Sequence, residues 1–125
     1  MSTEPIHLNK KYILEELRQM DITTFPLNIY GEYDKYKDSL VLIPVENLTL
    51  PPPIVLDESD LTNILRQDDS IEPIIFSDYG IILDGKQIGR KADNYGFSHL
   101  WGYCSDERLD AVQRRLEAIK VFIIE

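Results

Sequence analysis

The sequence predicts an α+β fold: a single small domain with an antiparallel sheet of about four to five strands, an N-terminal helix, a short middle helix and a long C-terminal helix packed on it. Three observations lead there. The chain has 125 residues, 43% of them hydrophobic, enough to bury one core without disulfides or metals. Apolar residues recur at three-and-four spacing in three segments, which is the helical period. Elsewhere they form short runs bounded by turn residues, which is the strand signature. Strands joined by turns and flanked by amphipathic helices sum to helices laid on one face of an antiparallel sheet.

The elements follow in order. In "LNKKYILEELRQMD", Ile13, Leu14, Leu17 and Met20 fall on one helical face, with Asn9 as the expected N-cap. "FPLNIY" and "SLVLIPV" read as two strands of a hairpin whose long polar loop is "GEYDKYKD". Pro51, Pro52 and Pro53 cannot donate ladder hydrogen bonds and form a stiff extended arm, an internal connector within a domain spanning 1–125.

After the arm, "DESDLTNILRQDDS" predicts the short middle helix, capped by Asp57 or Ser59 and burying Leu61, Ile64 and Leu65. "IEPIIFSDYGIILDGKQIGRKA" predicts a meander that reverses at "SDYG" and again at Asp84 and Gly85, a two-residue hairpin signal. "SDERLDAVQRRLEAIKVFIIE" predicts one long helix capped by Ser105, with Leu109, Val112, Leu116, Ile119 and Ile123 in a continuous stripe.

Charge is the most unusual property. Twenty-two acidic residues face thirteen basic ones, for a net charge of −9, which disfavours binding to nucleic acid or an anionic membrane. Asp57, Glu58, Asp60, Asp68, Asp69, Glu72 and Asp78 stand against the single Arg66, so this stretch carries six of the nine net charges. No apolar run is long enough to span a membrane, and the first twenty residues lack the pattern of a secretory signal. The expected compartment is the cytoplasm. With Cys104 the only cysteine, no internal disulfide can form. The sequon at Asn47, Leu48 and Thr49 is therefore read as unused.

No motif fixes a reaction. "GIILDGKQ" resembles a phosphate-binding loop in spacing, but Gln87 stands where Ser or Thr would hold magnesium, strand-forming residues fill the interior, and Asp84 would repel the anion. Two histidines and one cysteine are too few for a paired zinc site, and the acid-rich stretch lacks the central glycine and final glutamate of a calcium loop. No metal and no cofactor is expected. Adjacent acids such as Asp68 and Asp69 read as a solvated face.

The aromatic-rich run "ADNYGFSHLWGYCSDE" offers the sharpest alternative, a pocket around Asp93, Tyr95, His99, Trp101 and Cys104. As an extended strand it would place Tyr95, Phe97, Trp101 and Tyr103 on one face, with Trp101 and Phe97 in the core. Cys104, just before a helix start, could be an activated thiol with His99 as its base, although Asp106 and Glu107 oppose this. Tyr30, Tyr33 and Tyr36, set among Glu32, Asp34 and Asp38, suit a basic partner through cation–π contacts and hydrogen bonds.

The preferred reading is a non-enzymatic, acidic, protein-binding inhibitor, similar in size and charge to immunity proteins and antitoxins, that occludes a basic partner such as a toxin nuclease. Its contact residues would be the seven acids from Asp57 to Asp78 with Tyr30, Tyr33 and Tyr36. The first alternative is a small-molecule-binding protein or enzyme using the pocket just named. A structural adaptor subunit is the second.

Overall fold

The computed structural model describes residues 4–27, 40–50, 73–105 and 109–124. The expected middle helix, the Pro51–Pro53 connector and the "GEYDKYKD" loop lie outside them. Among the described residues the chain forms strand β1 (Ile6–Asn9), helix α1 (Ile13–Gln19), strand β2 (Leu40–Pro44), a 3-10 turn (Val45–Asn47), strands β3 (Ile74–Phe76) and β4 (Ile82–Asp84), helix α2 (Lys86–Tyr95), strand β5 (His99–Cys104), helix α3 (Leu109–Leu116) and strand β6 (Ile119–Ile124). No helix among these residues is long and apolar enough to cross a membrane.

The six strands make one mixed sheet in the order β1-β6-β2-β5-β3-β4, which corrects the expected antiparallel sheet of four to five strands. Two pairs are parallel, β1 with β6 and β3 with β5. Parallel neighbours require a crossover rather than a tight turn. Between β3 and β5, β4 and α2 provide it.

The second expected reversal, at Asp84 and Gly85, does not occur. "SDYG" does turn β3 back into β4 as an antiparallel pair, but Gly85 caps α2 at φ 93°. The residues that follow include Lys86, Gln87, Arg90, Lys91 and Ala92, good helix formers that override the hairpin signal. A helix thus opens after "GIILDG", yet β4 occupies the interior that a phosphate cradle would leave as a loop.

The long C-terminal helix is also corrected. α3 stops at Leu116, Glu117 turns at φ 58°, and "IKVFII" becomes β6, paired on both sides by β1 and β2. Ile119, Val121 and Ile123 alternate with period two as readily as Leu116, Ile119 and Ile123 follow the helical period. β-branched residues with an open position between two strands settle in the sheet.

At the other end, α1 starts later than expected. Asn9 closes β1 instead of capping the helix: its side-chain oxygen accepts from the Lys11 amide at 2.9 Å, and its own amide donates to the Glu16 carboxylate at 3.2 Å. Ile13 and Leu17 are buried while Leu14 and Met20 are exposed. Of the expected strand "FPLNIY", Phe25 and Pro26 are irregular, Leu27 makes a single bridge and 28–30 lie outside the described residues; β2 is flanked by β5 and β6 instead of a hairpin partner from this segment.

Helices cover both faces of the sheet, not one. Leu40 and Leu42 of β2 join Trp101, Leu8, Val121 and the α1 residues Ile13 and Leu17 in one cluster. Val41 and Ile43 join Leu100, Ile74, Phe76, Ala92 of α2 and Val112 and Leu116 of α3 in the other. Every residue of β2 is consequently buried, as befits a central strand covered on both sides.

Candidate functional site

A cleft among the described residues lies where the C-terminal end of β2 meets the start of β5, paired through Pro44 and His99. Two connections shape it. On one side, β2 runs directly into the 3-10 turn carrying Glu46. On the other, α2 ends in a Schellman motif, with the Phe97 amide donating to the Ala92 carbonyl and the Gly96 amide to the Asp93 carbonyl, both at 3.0 Å. The motif aims Phe97 back toward Phe25, whose ring it meets edge-on at 4.7 Å with Tyr95 at 5.7 Å.

Lys91, buried in α2, sets its ammonium 5.4 Å from the centre of the same Phe25 ring. Desolvated cation–π contacts of this kind contribute about 2 kcal/mol. Thr23 fastens the adjoining strand entry: its amide donates to Ser98 Oγ at 2.9 Å, the Ser98 amide donates to Thr23 Oγ1 at 3.0 Å, and the His99 amide donates to the Thr23 carbonyl at 3.1 Å.

The cleft encloses about 640 Å³. Val45, Leu48, Leu50 and Phe97 give it apolar walls, and the exposed carboxylates of Glu46, Asp93 and Glu117 stand around it with His99. Among the described residues no three acidic, histidine or cysteine side chains are grouped closely enough to hold a metal ion. His99 Nδ1 lies 2.7 Å from Ser98 Oγ.

Burial pushes the His99 imidazole below its ordinary pKa of 6.5, and the nearby Glu46 carboxylate offsets part of this. The folded protein therefore binds fewer protons than the unfolded chain just below pH 6.5, and stability falls as pH drops from there through the depressed folded value. Replacing His99 with Gln removes this component. In urea titrations from pH 8 to 5, the wild type should lose stability relative to His99→Gln as pH falls, and the two should run parallel above about pH 7.5.

The structure brings together only part of the pocket expected from the sequence. Asp93 and His99 line one cleft. Tyr95 closes α2 and is exposed beside Phe25, and Phe97 lies in the link to β5, so neither shares a strand face with Trp101 and Tyr103. Trp101 is 0% exposed, with its indole N–H donating to the Phe25 carbonyl at 2.7 Å. Cys104 is buried at the far end of β5. Five strand residues set it about 16 Å from His99, and odd spacing puts the two on opposite faces, so thiol and imidazole cannot form a catalytic pair.

Of the expected partner-binding residues, Asp57, Glu58, Asp60, Asp68, Asp69, Glu72, Tyr30, Tyr33 and Tyr36 lie outside the described residues. Asp78 sits in the β3–β4 turn, where its carbonyl accepts from the Arg115 guanidinium. Beside it stands a feature that sequence reasoning missed. Tyr79 (69% exposed) in the β3–β4 turn, Ile81 (46%) just before β4 and Leu83 (54%) on β4 are exposed at this end of the sheet, while the intervening Gly80 and Ile82 are buried. The period-two signal was present, but nothing in it told the outward set from the inward one. Glu46 and Glu117 were missed because a single carboxylate after a strand or helix carries no pattern. Compared with protein-family models, with curated proteins and with solved structures, the chain shows no significant match in any of the three.

Proposed function

We propose that this protein is an acidic, cytoplasmic protein-binding inhibitor, immunity-protein or antitoxin-like, that occludes a basic partner such as a toxin nuclease. The observation that carries the reading is the stretch from Asp57 to Asp78 with its six net negative charges, which leads directly into the exposed Tyr79, Ile81 and Leu83 at the end of the sheet. Carboxylates steer a cationic protein and raise its association rate to about 10⁸ M⁻¹s⁻¹ at low salt. Exposed tyrosine and aliphatic side chains then hold what has been steered, since apolar and aromatic contacts dominate interface energetics. Three exposed apolar side chains close together at the end of a sheet suit contact with a partner.

The small-molecule alternative draws on the cleft shared by Asp93 and His99, but Cys104 and Trp101 lie outside it. Pull-down from the native host at low salt, followed by binding kinetics with the captured protein, separates the two readings. The inhibitor reading expects a basic partner, association slowed at least tenfold by reversing Asp68, Asp69 and Glu72 or by raising salt, a further loss on Tyr79→Ala, and no effect of Cys104→Ala. Recovery of no partner, together with thermal stabilisation by a metabolite that His99→Gln abolishes, would sink it.

A further inference from the structure

We propose that the cleft between the 3-10 turn and the α2–β5 link is a socket for an arginine side chain of a basic protein partner. This rests on the inhibitor reading and gives it a point of docking. The cleft's volume of about 640 Å³ falls in the range of ligand sites. Its described lining contains three carboxylates, Glu46, Asp93 and Glu117, and neither lysine nor arginine. The same lining combines these carboxylates with the ring of Phe97 and the aliphatic side chains of Leu48 and Leu50, a pairing of negative charge with apolar surface that suits a cation carrying several donors on a weakly hydrated plane.

A guanidinium has five N–H donors in a planar fork and a weakly hydrated face that stacks on aromatic rings. The acids meet the fork, and Phe97 with Leu48 and Leu50 meets the face. A lysine ammonium, compact and strongly hydrated, would leave those walls unused. The walls are set in advance: the Schellman bonds fix Phe97, its edge-on contact with Phe25 braces it, and the Thr23–Ser98 bonds fix the strand entry. Preorganisation of this kind lowers the entropy cost of binding.

The test is a titration of the full chain, followed by amide NMR, with capped hexa-arginine, hexa-lysine and hexa-glutamate peptides. Expected are shifts at Glu46, Gly96, Phe97, Ser98 and His99 with the arginine peptide, at least fivefold weaker with the lysine peptide and absent with the glutamate peptide. A Glu46→Gln, Asp93→Asn, Glu117→Gln variant, altered only at exposed side chains, should keep its thermal midpoint and lose the response at least tenfold. Phe97→Leu, tested alongside, should reduce the preference for arginine over lysine. Shifts confined to 57–78, equal responses to arginine and lysine, or an unchanged response in the triple variant overturn the socket. If a basic partner is still captured from the host while the cleft amides stay silent, the socket fails and the inhibitor reading stands. If the cleft prefers the arginine peptide but no partner is captured and a metabolite stabilises the chain unless His99 is replaced by Gln, the guanidinium site stands and the inhibitor reading fails.

Discussion

Trp101→Ala is expected to remove about 3–5 kcal/mol of folding stability, the largest effect of any single change considered. Two losses combine. The indole is 0% exposed and packs among Leu42, Leu8 and Leu17, so its truncation leaves a cavity that surrounding β-strands cannot collapse to fill. The Phe25 carbonyl also loses the 2.7 Å bond from the indole N–H, and an unsatisfied buried acceptor costs about 1–3 kcal/mol. Domains of this size are stable by about 5–15 kcal/mol, so the variant should unfold at much lower urea concentration than the wild type. Trp101→Phe separates the terms, because it keeps most of the volume and loses the bond. An alanine variant with an unchanged urea midpoint would show that this side chain is not a keystone of the sheet.

Gly80→Ala is expected to cost about 2–4 kcal/mol, and its cause lies in backbone rather than volume. Gly80 ends the β3–β4 turn at φ 78°, and a Cβ built there would sit 2.7 Å from the Asn47 carbonyl oxygen. An L-residue pays about 1–2 kcal/mol in this region, and the overlap adds strain because a backbone oxygen cannot swing aside. The Asn47 carbonyl cannot easily retreat, since the Thr49 amide donates to the Gly80 carbonyl at 2.8 Å and ties the two segments together. Gly96→Ala is the matched control: its φ is 71°, but nothing lies within 4 Å of a Cβ there. Its cost should be the conformational part alone, about 1–2 kcal/mol. Equal urea midpoints for the two variants would remove the steric argument.

Both positions show how unevenly the fold could be read from the chain. A first helix through Ile13–Gln19, the strand "LVLIP", the "SDYG" reversal and helical structure through Leu109–Leu116 were legible because each is specified by residues within a dozen positions. β1 was hidden, since a strand of four residues ending on a cap-like Asn9 carries little pattern. β6 was hidden because its apolar residues satisfy two periods at once. Asp84 and Gly85 gave a strong local turn signal that a helix-forming sequence immediately downstream overruled.

The candidate site divides in the same way. Asp93 and His99 could be singled out from the aromatic run, whereas Glu46 and Glu117 come from segments about 50 and 20 residues away and share the cleft with them through the pairing of β2 with β5 on one side and with β6 on the other. Grouping Cys104 with His99 failed because five steps along a strand separate the two and put them on opposite faces, and Trp101 dropped out because its side chain is wholly buried in the core with Leu8 and Leu17.

By itself the sequence determined the composition of this protein: a net charge of −9, its concentration between Asp57 and Asp78, a lone cysteine, and the local preferences that start helices and turns. Tertiary structure decided which strands lie side by side, that both faces of the sheet are covered, and which distant carboxylates share a cleft. The physical reason is range. Capping, turn geometry and periodicity act within a few residues, but parallel pairing, burial on two faces and the placing of charges around one cleft depend on segments far apart in the chain competing for the same neighbours.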